Sequence, residues 1–172
     1  GVMVHYYLKD TAKTTASLEI MEMSGTVIKK FATKPNKKAK EELLKIAPGM
    51  NRHIWNMRYP DADGFDGLIM WGASLRGPKA VPGKYKAKLT VNGNAMETEF
   101  EILKDPRTEG TLADIQEQFN FAIKVRDKLS EANNAVKKIR EARDQITRVI
   151  EPMKDDPAFK DVNDMAKSIL DN

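Results

Sequence analysis

The spacing of hydrophobic residues changes once along the chain, at residues 104–107. Before this point apolar residues recur at every second position, as in half-buried β-strands. After it they recur every three or four positions for about forty residues, as in an amphipathic helix. The pattern predicts an α+β chain, with a β-sandwich module over residues 1–107 and a helical hairpin extension over residues 108–172.

The segment on either side of Asn92-Gly93 predicts a β-hairpin of defined register. Asn-Gly is the strongest two-residue signal for a hairpin turn, and the flanking residues alternate in polarity. Folding the chain about this turn gives six cross-strand pairs: Leu89–Met96, Ala87–Thr98, Tyr85–Phe100, Lys88–Glu97, Lys86–Glu99 and Lys84–Glu101. Three pairs form a largely apolar face and three form a charged face, so a slip of one residue would mix the two. We expect the charged face to lie in solvent.

Other short strands are separated by turns rich in Gly and Pro, which favours a β-sandwich. They are predicted at residues 2–8, 18–20, 27–31 and 53–59, with a further short strand at 68–71. The alternation breaks between Ile20 and Met21, which predicts a bulge or a three-residue loop there. We expect residues 37–46 to form a long loop between strands, with a helical turn as the alternative.

The second half of the chain predicts two helices. Thr111 can cap the first, with Asp114 three residues later near the positive end of the helix dipole. Its apolar positions continue to Pro152: Ile115, Phe119, Ala122, Val125, Leu129, Ala132, Val136, Ile139, Ala142, Ile146 and Val149. Pro157 is well placed for the first turn of a second helix. The alternative is that the long helix breaks at Asn133-Asn134.

The two predicted helices differ in length, which leaves part of the apolar stripe uncovered. The first is about 60 Å long, and the second can cover about 20 Å of it. Ile139, Ile146 and Val149 lie within reach of the second helix, whereas four earlier residues lie beyond it: Ile115, Phe119, Val125 and Leu129. Because large apolar patches are rarely left in water, we expect partial docking on the β module together with self-association through the long helix.

The composition is that of a soluble protein, with 41% hydrophobic and 31% charged residues and no cysteine. Nothing in the chain is apolar for about eighteen consecutive residues, so no membrane span is predicted. No signal peptide opens the chain, and its first residue, Gly1, suggests a piece of a longer protein. The net charge of +4 includes a run of lysines at positions 34, 37, 38 and 40. Without interleaved aromatic residues this run predicts a solvated loop and no nucleic-acid partner, with an anionic partner as the alternative.

The reactive side chains do not form a recognisable catalytic or metal-binding set. His5 and His53 are the only histidines and lack matched carboxylates, so no metal site is predicted. Residues 61–67 resemble a calcium loop, but Phe65 occupies a position that needs an oxygen ligand. Trp55 and Trp71 are candidate ligand contacts for stacking against sugars, although Trp55 is also expected in the core. We therefore expect no enzyme activity, no catalytic residue and no cofactor.

An ordered set of motifs resembles a known family. Residues 49–60 (GMNRHIWNMRYP) are similar to the pattern G-L-N-R-x-x-W-D-x-R-Y-P. The motifs that follow are Leu68–Gly72, Gly77–Tyr85, Asp105–Arg107, Asp114 with Gln118, and Arg126-Asp127. In this order they resemble the C-terminal region of bacterial sortilin-like proteins, the β-propeller proteins with BNR repeats that carry a "glycosyl hydrolase" label. The resemblance covers about residues 1–150, departs from the family pattern at residues 63–67, and is moderately specific.

This resemblance implies an immunoglobulin/fibronectin-like antiparallel sandwich with trailing helices, in an exported protein whose β-propeller lies N-terminal to it. The "glycosyl hydrolase" label belongs to the propeller, so no catalytic residue carries over to this chain. The leading hypothesis is a non-catalytic accessory module that docks to the propeller in the periplasm or outside the cell. One alternative is a carbohydrate-binding module that uses Trp55 or Trp71. Another is an anion or nucleic-acid binder that uses the run Lys34–Lys40.

Overall fold

A computed structural model describes residues 1–11 and 14–171 and confirms the α+β class. Its elements are β1 (Val2–Leu8), β2 (Ala16–Glu22), β3 (Val27–Ala32), β4 (Glu42–Leu43), β5 (Gly49–Trp55), β6 (Gly83–Val91), β7 (Asn94–Ile102), α1 (Leu112–Ile150) and α2 (Lys160–Leu170). Short 3-10 turns lie at Lys37–Ala39, Glu151–Met153 and Pro157–Phe159. The change of hydrophobic period thus falls between the end of β7 and the start of α1, as predicted.

The strands form a β-sandwich of two sheets. One sheet has five strands in the order β4-β3-β2-β6-β7, and the other pairs β1 with β5. Neighbouring strands are antiparallel except for β3 and β4, which run parallel. The short segment between them, which includes the Lys37–Ala39 turn, brings the chain back beside β3 in the same direction. The prediction of a loop over residues 37–46 is therefore only partly correct, because this range contains the helical turn left as the alternative and also the short strand β4.

The predicted hairpin register is confirmed at all six pairs. Asn92 and Gly93 have φ angles of 49° and 88°, the left-handed values that a tight hairpin turn requires. On the charged face Lys88 and Glu97 approach to 3.9 Å. The register between β2 and β3 shifts between Ile20 and Met21, which confirms the predicted bulge.

The sandwich core contains residues from both sheets. Leu18 and Ile20 of β2 are completely buried, and Trp55 of β5 is 1% exposed. The Trp55 indole lies edge-on to Tyr85 and Phe100, and its Nε1–H donates to the carbonyl oxygen of Arg58 at 3.1 Å. The expectation that Trp55 belongs to the core is confirmed, so Trp55 is excluded as a surface ligand contact.

Two strand predictions are wrong. The strand expected at residues 53–59 is displaced, because β5 ends at Trp55 and Met57 takes a left-handed φ of 59°. The chain then makes a single bridge between Arg58 and Lys79. Residues 68–71 form no strand, since their local bonds are those of turns, such as Ala73 N–H to the Met70 carbonyl oxygen.

The long helix α1 has 39 residues and passes through Asn133 and Asn134 without a break. Thr111 and Asp114 cap its start reciprocally: the Thr111 N–H donates to Asp114 Oδ2 at 2.8 Å, and the Asp114 N–H donates to Thr111 Oγ1 at 3.2 Å. Pro152 lies in the 3-10 turn after the last α-helical residue. The second helix, α2, follows Pro157 as predicted and completes the helical hairpin.

The chain divides into two compact units that differ from the division predicted at residues 107 and 108. The first consists of Gly1–Asp61 and Arg76–Val125, and the second consists of Ala62–Leu75 and Arg126–Asn172. The boundary lies inside α1 because Phe119 packs on Tyr59 in the first unit, whereas Asn133 bonds to Asp63 in the second.

The prediction of which apolar residues α2 would cover is wrong for Ile139 and Val149. Both are 60% exposed. The second helix has only 11 residues, and its own apolar residues Met165 and Ile169 are also mostly exposed. By contrast, Phe119 and Leu129, which were expected to lie beyond the reach of the second helix, are partly buried.

Candidate functional site

The outer face of the two-stranded sheet carries an exposed apolar patch. In the register of β1 and β5, Met3 lies opposite Ile54, and Tyr7 lies opposite Met50. These four side chains, here called the β1–β5 patch, are between 54% and 71% exposed. Side chains alternate between the faces of a strand, so the neighbouring residues Tyr6, Leu8 and Trp55 point inward and are buried.

Asn51 fixes the start of β5 and therefore the position of the β1–β5 patch. It is 8% exposed, and its amide makes three hydrogen bonds. Its Oδ1 accepts from the Ala47 N–H at 2.8 Å, and its Nδ2 donates to the carbonyl oxygens of Ala47 and Gly49 at 2.8 and 3.0 Å. A buried polar group is tolerated when it is satisfied in this way.

The sequence of β1 contains a signal for the β1–β5 patch. The strand VMVHYYL is apolar or aromatic at nearly every position, not only at alternate ones. Strands that are apolar on both faces are typical of sheets covered on both sides. Among the described strands, β1 and β5 pair only with each other. The outer face of this sheet carries two exposed apolar pairs, with the exposed pair His5–Arg52 between them.

A loop in the second unit, residues 62–75, is anchored to α1. At Asp63 the backbone N–H donates to Ser130 Oγ at 3.0 Å, and the carbonyl oxygen accepts from Asn133 Nδ2 at 2.6 Å. Further along, Arg140 donates from Nη1 to the carbonyl oxygen of Asp66 at 2.8 Å, and its guanidinium lies 4.5 Å from the centre of the Phe65 ring. The base of the loop is thus held firmly.

The anchored loop presents Trp71 to solvent. Trp71 is 96% exposed and has a left-handed φ of 51°, which is uncommon for a bulky residue. Ile69 beside it is also exposed. Of the two predicted ligand contacts, Trp55 lies in the core, and only Trp71 has a ring that a ligand could reach.

Two tyrosines in the first unit, Tyr59 and Tyr85, make hydrogen bonds that stabilise the fold. The Tyr59 hydroxyl donates to Glu22 Oε1 at 2.7 Å, and the Tyr85 hydroxyl donates to the carbonyl oxygen of Val81 at 2.8 Å. Burial, followed by the hydrogen bond to Glu22, raises the pKa of Tyr59 far above its usual value, and burial raises the pKa of Tyr85. Both phenols are therefore held protonated and act as hydrogen-bond donors.

The two histidines have different surroundings. His5 is exposed on the outer face of β1. The ring of His53 lies 4.1 Å from that of Phe31, and its Nε2 is buried without a hydrogen-bond partner. Burial lowers the pKa of His53, and the nearby carboxylate of Glu42 partly opposes that effect. Within residues 1–11 and 14–171, no three His, Cys, Asp or Glu side chains are grouped as metal ligands would be.

The run of lysines lies in an exposed loop, as predicted. Lys34, Lys37 and Lys38 are exposed, and the Asn36 side chain accepts a hydrogen bond from the Lys38 N–H at 3.1 Å. The Glu41 carboxylate in turn accepts from the Asn36 N–H at 2.8 Å. Local caps therefore account for the shape of this loop.

Comparisons of the chain with models of protein families, with curated proteins and with solved structures found no match. The resemblance to sortilin-like propeller proteins accordingly stays a prediction. Over the part of the chain that the structure describes, no helix is both long enough and apolar enough to cross a bilayer.

Proposed function

We propose that this chain is a non-catalytic accessory module that docks through the β1–β5 patch onto another domain of its parent protein. The proposal is carried by two exposed apolar cross-strand pairs on one face of the two-stranded sheet, Met3–Ile54 and Tyr7–Met50. The exposed pair His5–Arg52 lies between them. Such surfaces commonly mark interaction sites. The family resemblance supports an N-terminal β-propeller as the partner and an exported parent protein.

The energetics of the β1–β5 patch suit docking within one parent chain. Complete burial of one large apolar side chain contributes roughly 1.5–3 kcal/mol, and four partly exposed ones contribute a fraction of that each. A covalent linkage between domains supplies an effective concentration of the order of millimolar. A patch of this size therefore suffices for docking in cis, while binding between separate domains is weak and has to be measured at high concentrations of both.

The test is a titration of this chain with the separately purified domain that precedes it in the parent, followed by calorimetry. A double variant, Met50→Lys with Ile54→Lys, should weaken binding at least about tenfold. The control is Leu103→Lys, which changes an equally exposed apolar residue just after β7. Equal affinities for the double variant and the control would reject docking through the patch.

The non-catalytic part of the proposal has its own test. The purified chain should show no turnover of aryl glycosides, and binding to nucleic acid should be no stronger than weak, salt-sensitive attraction to its lysines. Turnover that disappears on changing a single Asp or Glu would instead identify a glycosidase. Fractionation of cells that express the parent protein tests the proposed export, and recovery of the parent in the cytoplasm would reject it.

A second candidate function is carbohydrate binding through Trp71. It is favoured by one observation, the nearly complete exposure of this ring on a loop whose base is anchored. Oligosaccharide titrations followed by tryptophan fluorescence test it, because Trp55 is buried and Trp71 would report the contact. A response that Trp71→Ala abolishes would support sugar stacking, and an unchanged spectrum across a panel of oligosaccharides would reject it.

A further inference from the structure

We infer that the outer face of the five-stranded sheet binds one tetrahedral oxyanion, a phosphate or sulfate group, in a polar depression where β2 begins. This depression, here called the β2 depression, has a volume of about 220 Å³. Its lining belongs to the first unit and shares no residue with the β1–β5 patch. The inference is therefore independent of the proposed docking. The polar side chains of the lining are Thr15, Ser17, Lys30, Thr33, Lys34, Glu41 and Thr90.

The register of the sheet explains why a depression forms here. A row of short side chains crosses the outer face, because Ser17 lies opposite Thr90 on β6 and opposite Ala32 on β3. The next outward row carries long charged side chains, since Glu19 lies opposite Lys30. Short side chains beside long ones leave a hollow, with Ser17 and Thr90 on its floor.

The hydroxyls of the floor are free to bind a ligand. Ser17 and Thr90 are half-buried, and neither hydroxyl bonds to another residue that the structure describes. The Cβ atoms of directly opposite residues lie about 4.5–5.5 Å apart. Two hydroxyls at this spacing can donate to two oxygens of one tetrahedral group.

Hydrogen bonds hold the walls of the β2 depression in place. The Thr15 N–H donates to Asn92 Oδ1, and the Thr15 carbonyl oxygen accepts from the Asn92 N–H, both at 2.9 Å. The Thr33 N–H donates to the Ala16 carbonyl oxygen at 2.9 Å, and the Ala16 N–H donates to Thr33 Oγ1 at 3.2 Å. The Thr33 hydroxyl accepts in this bond and keeps its own proton to donate. Because the walls are already fixed, binding costs little ordering of the chain.

The balance of donors and acceptors favours an anion. Among the described lining side chains, four hydroxyls and the ammonium groups of Lys30 and Lys34 stand against one carboxylate, that of Glu41. This carboxylate is already engaged, because Oε1 lies 3.0 Å from Lys30 Nζ and Oε2 accepts from the Asn36 N–H at 2.8 Å. Lys34 is exposed and pairs with no carboxylate in the described part of the chain. Hydroxyl and ammonium donors are the side chains that commonly contact phosphate groups.

The lining also disfavours recognition through a ring. None of the described residues that line the β2 depression is aromatic, so a sugar ring or a nucleobase finds no surface for stacking. The oxyanion itself is therefore the group that is recognised. A free anion and a phosphate or sulfate ester share this chemistry.

Titration of the isotope-labelled chain with inorganic phosphate, followed by NMR, tests the inference. Chloride replaces phosphate at constant ionic strength, which removes the effect of general screening. The amide signals of Ser17, Thr33, Lys34 and Thr90 should shift along one saturation curve. The dissociation constant should be of the order of 1 mM, because few contacts hold the ion.

Matched variants separate the β2 depression from the lysines around it. Thr90→Val removes a floor hydroxyl and keeps the β-branched shape, and Lys34→Gln removes the unpaired charge. Each should weaken phosphate binding at least about threefold. The controls are Thr98→Val, at an exposed threonine of β7, and Lys37→Gln, at an exposed lysine in the same loop as Lys34. Both controls should stay within about twofold of the unmodified chain, and thermal unfolding verifies that all four variants are folded.

A second set of titrations identifies the source of the oxyanion. Inorganic sulfate and glycerol phosphate are compared with inorganic phosphate under the same conditions. Tighter binding of glycerol phosphate would support the site and identify an ester as its ligand. Equal or weaker binding of the ester, with saturable binding of the inorganic ions, would support the site and identify a free anion.

Two results would overturn the inference. The first is a set of phosphate-induced shifts that does not saturate, or that is spread equally over the exposed lysines of the chain. The second is an equal loss of affinity in Lys37→Gln and Lys34→Gln together with equal affinities of Thr90→Val and Thr98→Val. That result would place the anion on the surface of the lysine-bearing loop and not in the depression.

Discussion

Asn133, in the middle of the long helix, donates a hydrogen bond from Nδ2 to the carbonyl oxygen of Asp63 at 2.6 Å. Asn134 donates to Asp63 Oδ2 at 2.9 Å, so two adjacent asparagines hold one residue of the loop. Asparagine is a poor helix former, and this pair weakens the helix locally. Its presence is explained by the loop that it anchors.

The bond between Asn133 and Asp63 should contribute measurably to stability. Asn133→Ala leaves a backbone carbonyl without its partner in a part-buried position, which costs about 1–3 kcal/mol. The higher helix propensity of alanine offsets about 0.5 kcal/mol of that cost. Urea denaturation measures the net loss, and hydrogen exchange should show faster opening of residues 62–75.

Asn120→Ala is the control for Asn133→Ala. Asn120 is exposed on the same helix and bonds only to Gln116 at 2.9 Å among the contacts that the structure describes. The free energy of unfolding of this control should lie within about 0.5 kcal/mol of that of the unmodified chain. If the two variants unfold at the same urea concentration, the hydrogen bond from Asn133 to the loop does not stabilise the chain.

Trp55 should be the most sensitive aromatic position in the sandwich. It is 1% exposed and packs edge-on against Tyr85 and Phe100. Trp55→Ala should lower the free energy of unfolding by about 3–5 kcal/mol through lost burial and a residual cavity. Trp71→Ala is the matched control and should change it by less than about 0.5 kcal/mol, because the Trp71 ring is exposed. Similar melting temperatures for Trp55→Ala and Trp71→Ala would contradict the prediction that Trp55 stabilises the sandwich core.

The sequence predicts elements well where the determining contacts are local. The register about Asn92-Gly93, the bulge at Ile20 and Met21, and the cap at Thr111 each depend on residues close together in the chain. Alternation of side chains or a capping pair is enough to predict such features.

Other features depend on partners that are far away in sequence. The strand β5 ends early because the chain after Trp55 bonds elsewhere: the Tyr59 N–H donates to the Pro78 carbonyl oxygen, and the Ala80 N–H donates to that of Met57. The loop at residues 62–75 is held by hydrogen bonds between Asp63 and three residues of α1, namely Ser130, Asn133 and Asn134. These lie 67, 70 and 71 positions later in the chain. Periodicity carries no information about such pairings, which explains the wrong strand predictions at residues 53–59 and 68–71.

Stability should fall as the pH is lowered below the ordinary pKa of histidine. Burial lowers the pKa of His53 below its model-compound value of 6.5. The unfolded chain therefore binds more protons at this position than the native chain does. The free energy of unfolding should decrease on acidification from pH 6.5 down to the native pKa, at up to about 1.4 kcal/mol per pH unit.

Urea denaturation between pH 7 and pH 5 measures this dependence. The variant His53→Leu should reduce the dependence of the free energy of unfolding on pH. The variant His5→Leu, at an exposed position on β1, should leave this dependence as in the unmodified chain. Carboxylates whose pKa is lowered in the native state, such as those of Asp105 and Asp114, contribute mainly at lower pH. If the free energy of unfolding depends equally on pH in the unmodified chain and in His53→Leu, then His53 is freely protonated in the folded chain.

The hairpin turn between β6 and β7 should be sensitive to a single added methyl group. Gly93 has a φ of 88°, and a Cβ built there meets nothing within 4 Å. Any cost of Gly93→Ala therefore comes from the backbone conformation and not from a clash, and it should be about 1 kcal/mol or more.

Gly72→Ala is the matched control, because Gly72 has no positive φ and equally open space around it. It should be neutral or slightly stabilising, because alanine restricts the unfolded chain. Thermal unfolding compares the two variants. Among the described strands β7 pairs only with β6, so hydrogen exchange in Gly93→Ala should increase first along β7. Equal stability of the two variants would mean that the turn tolerates alanine and that the cross-strand pairs alone set the register.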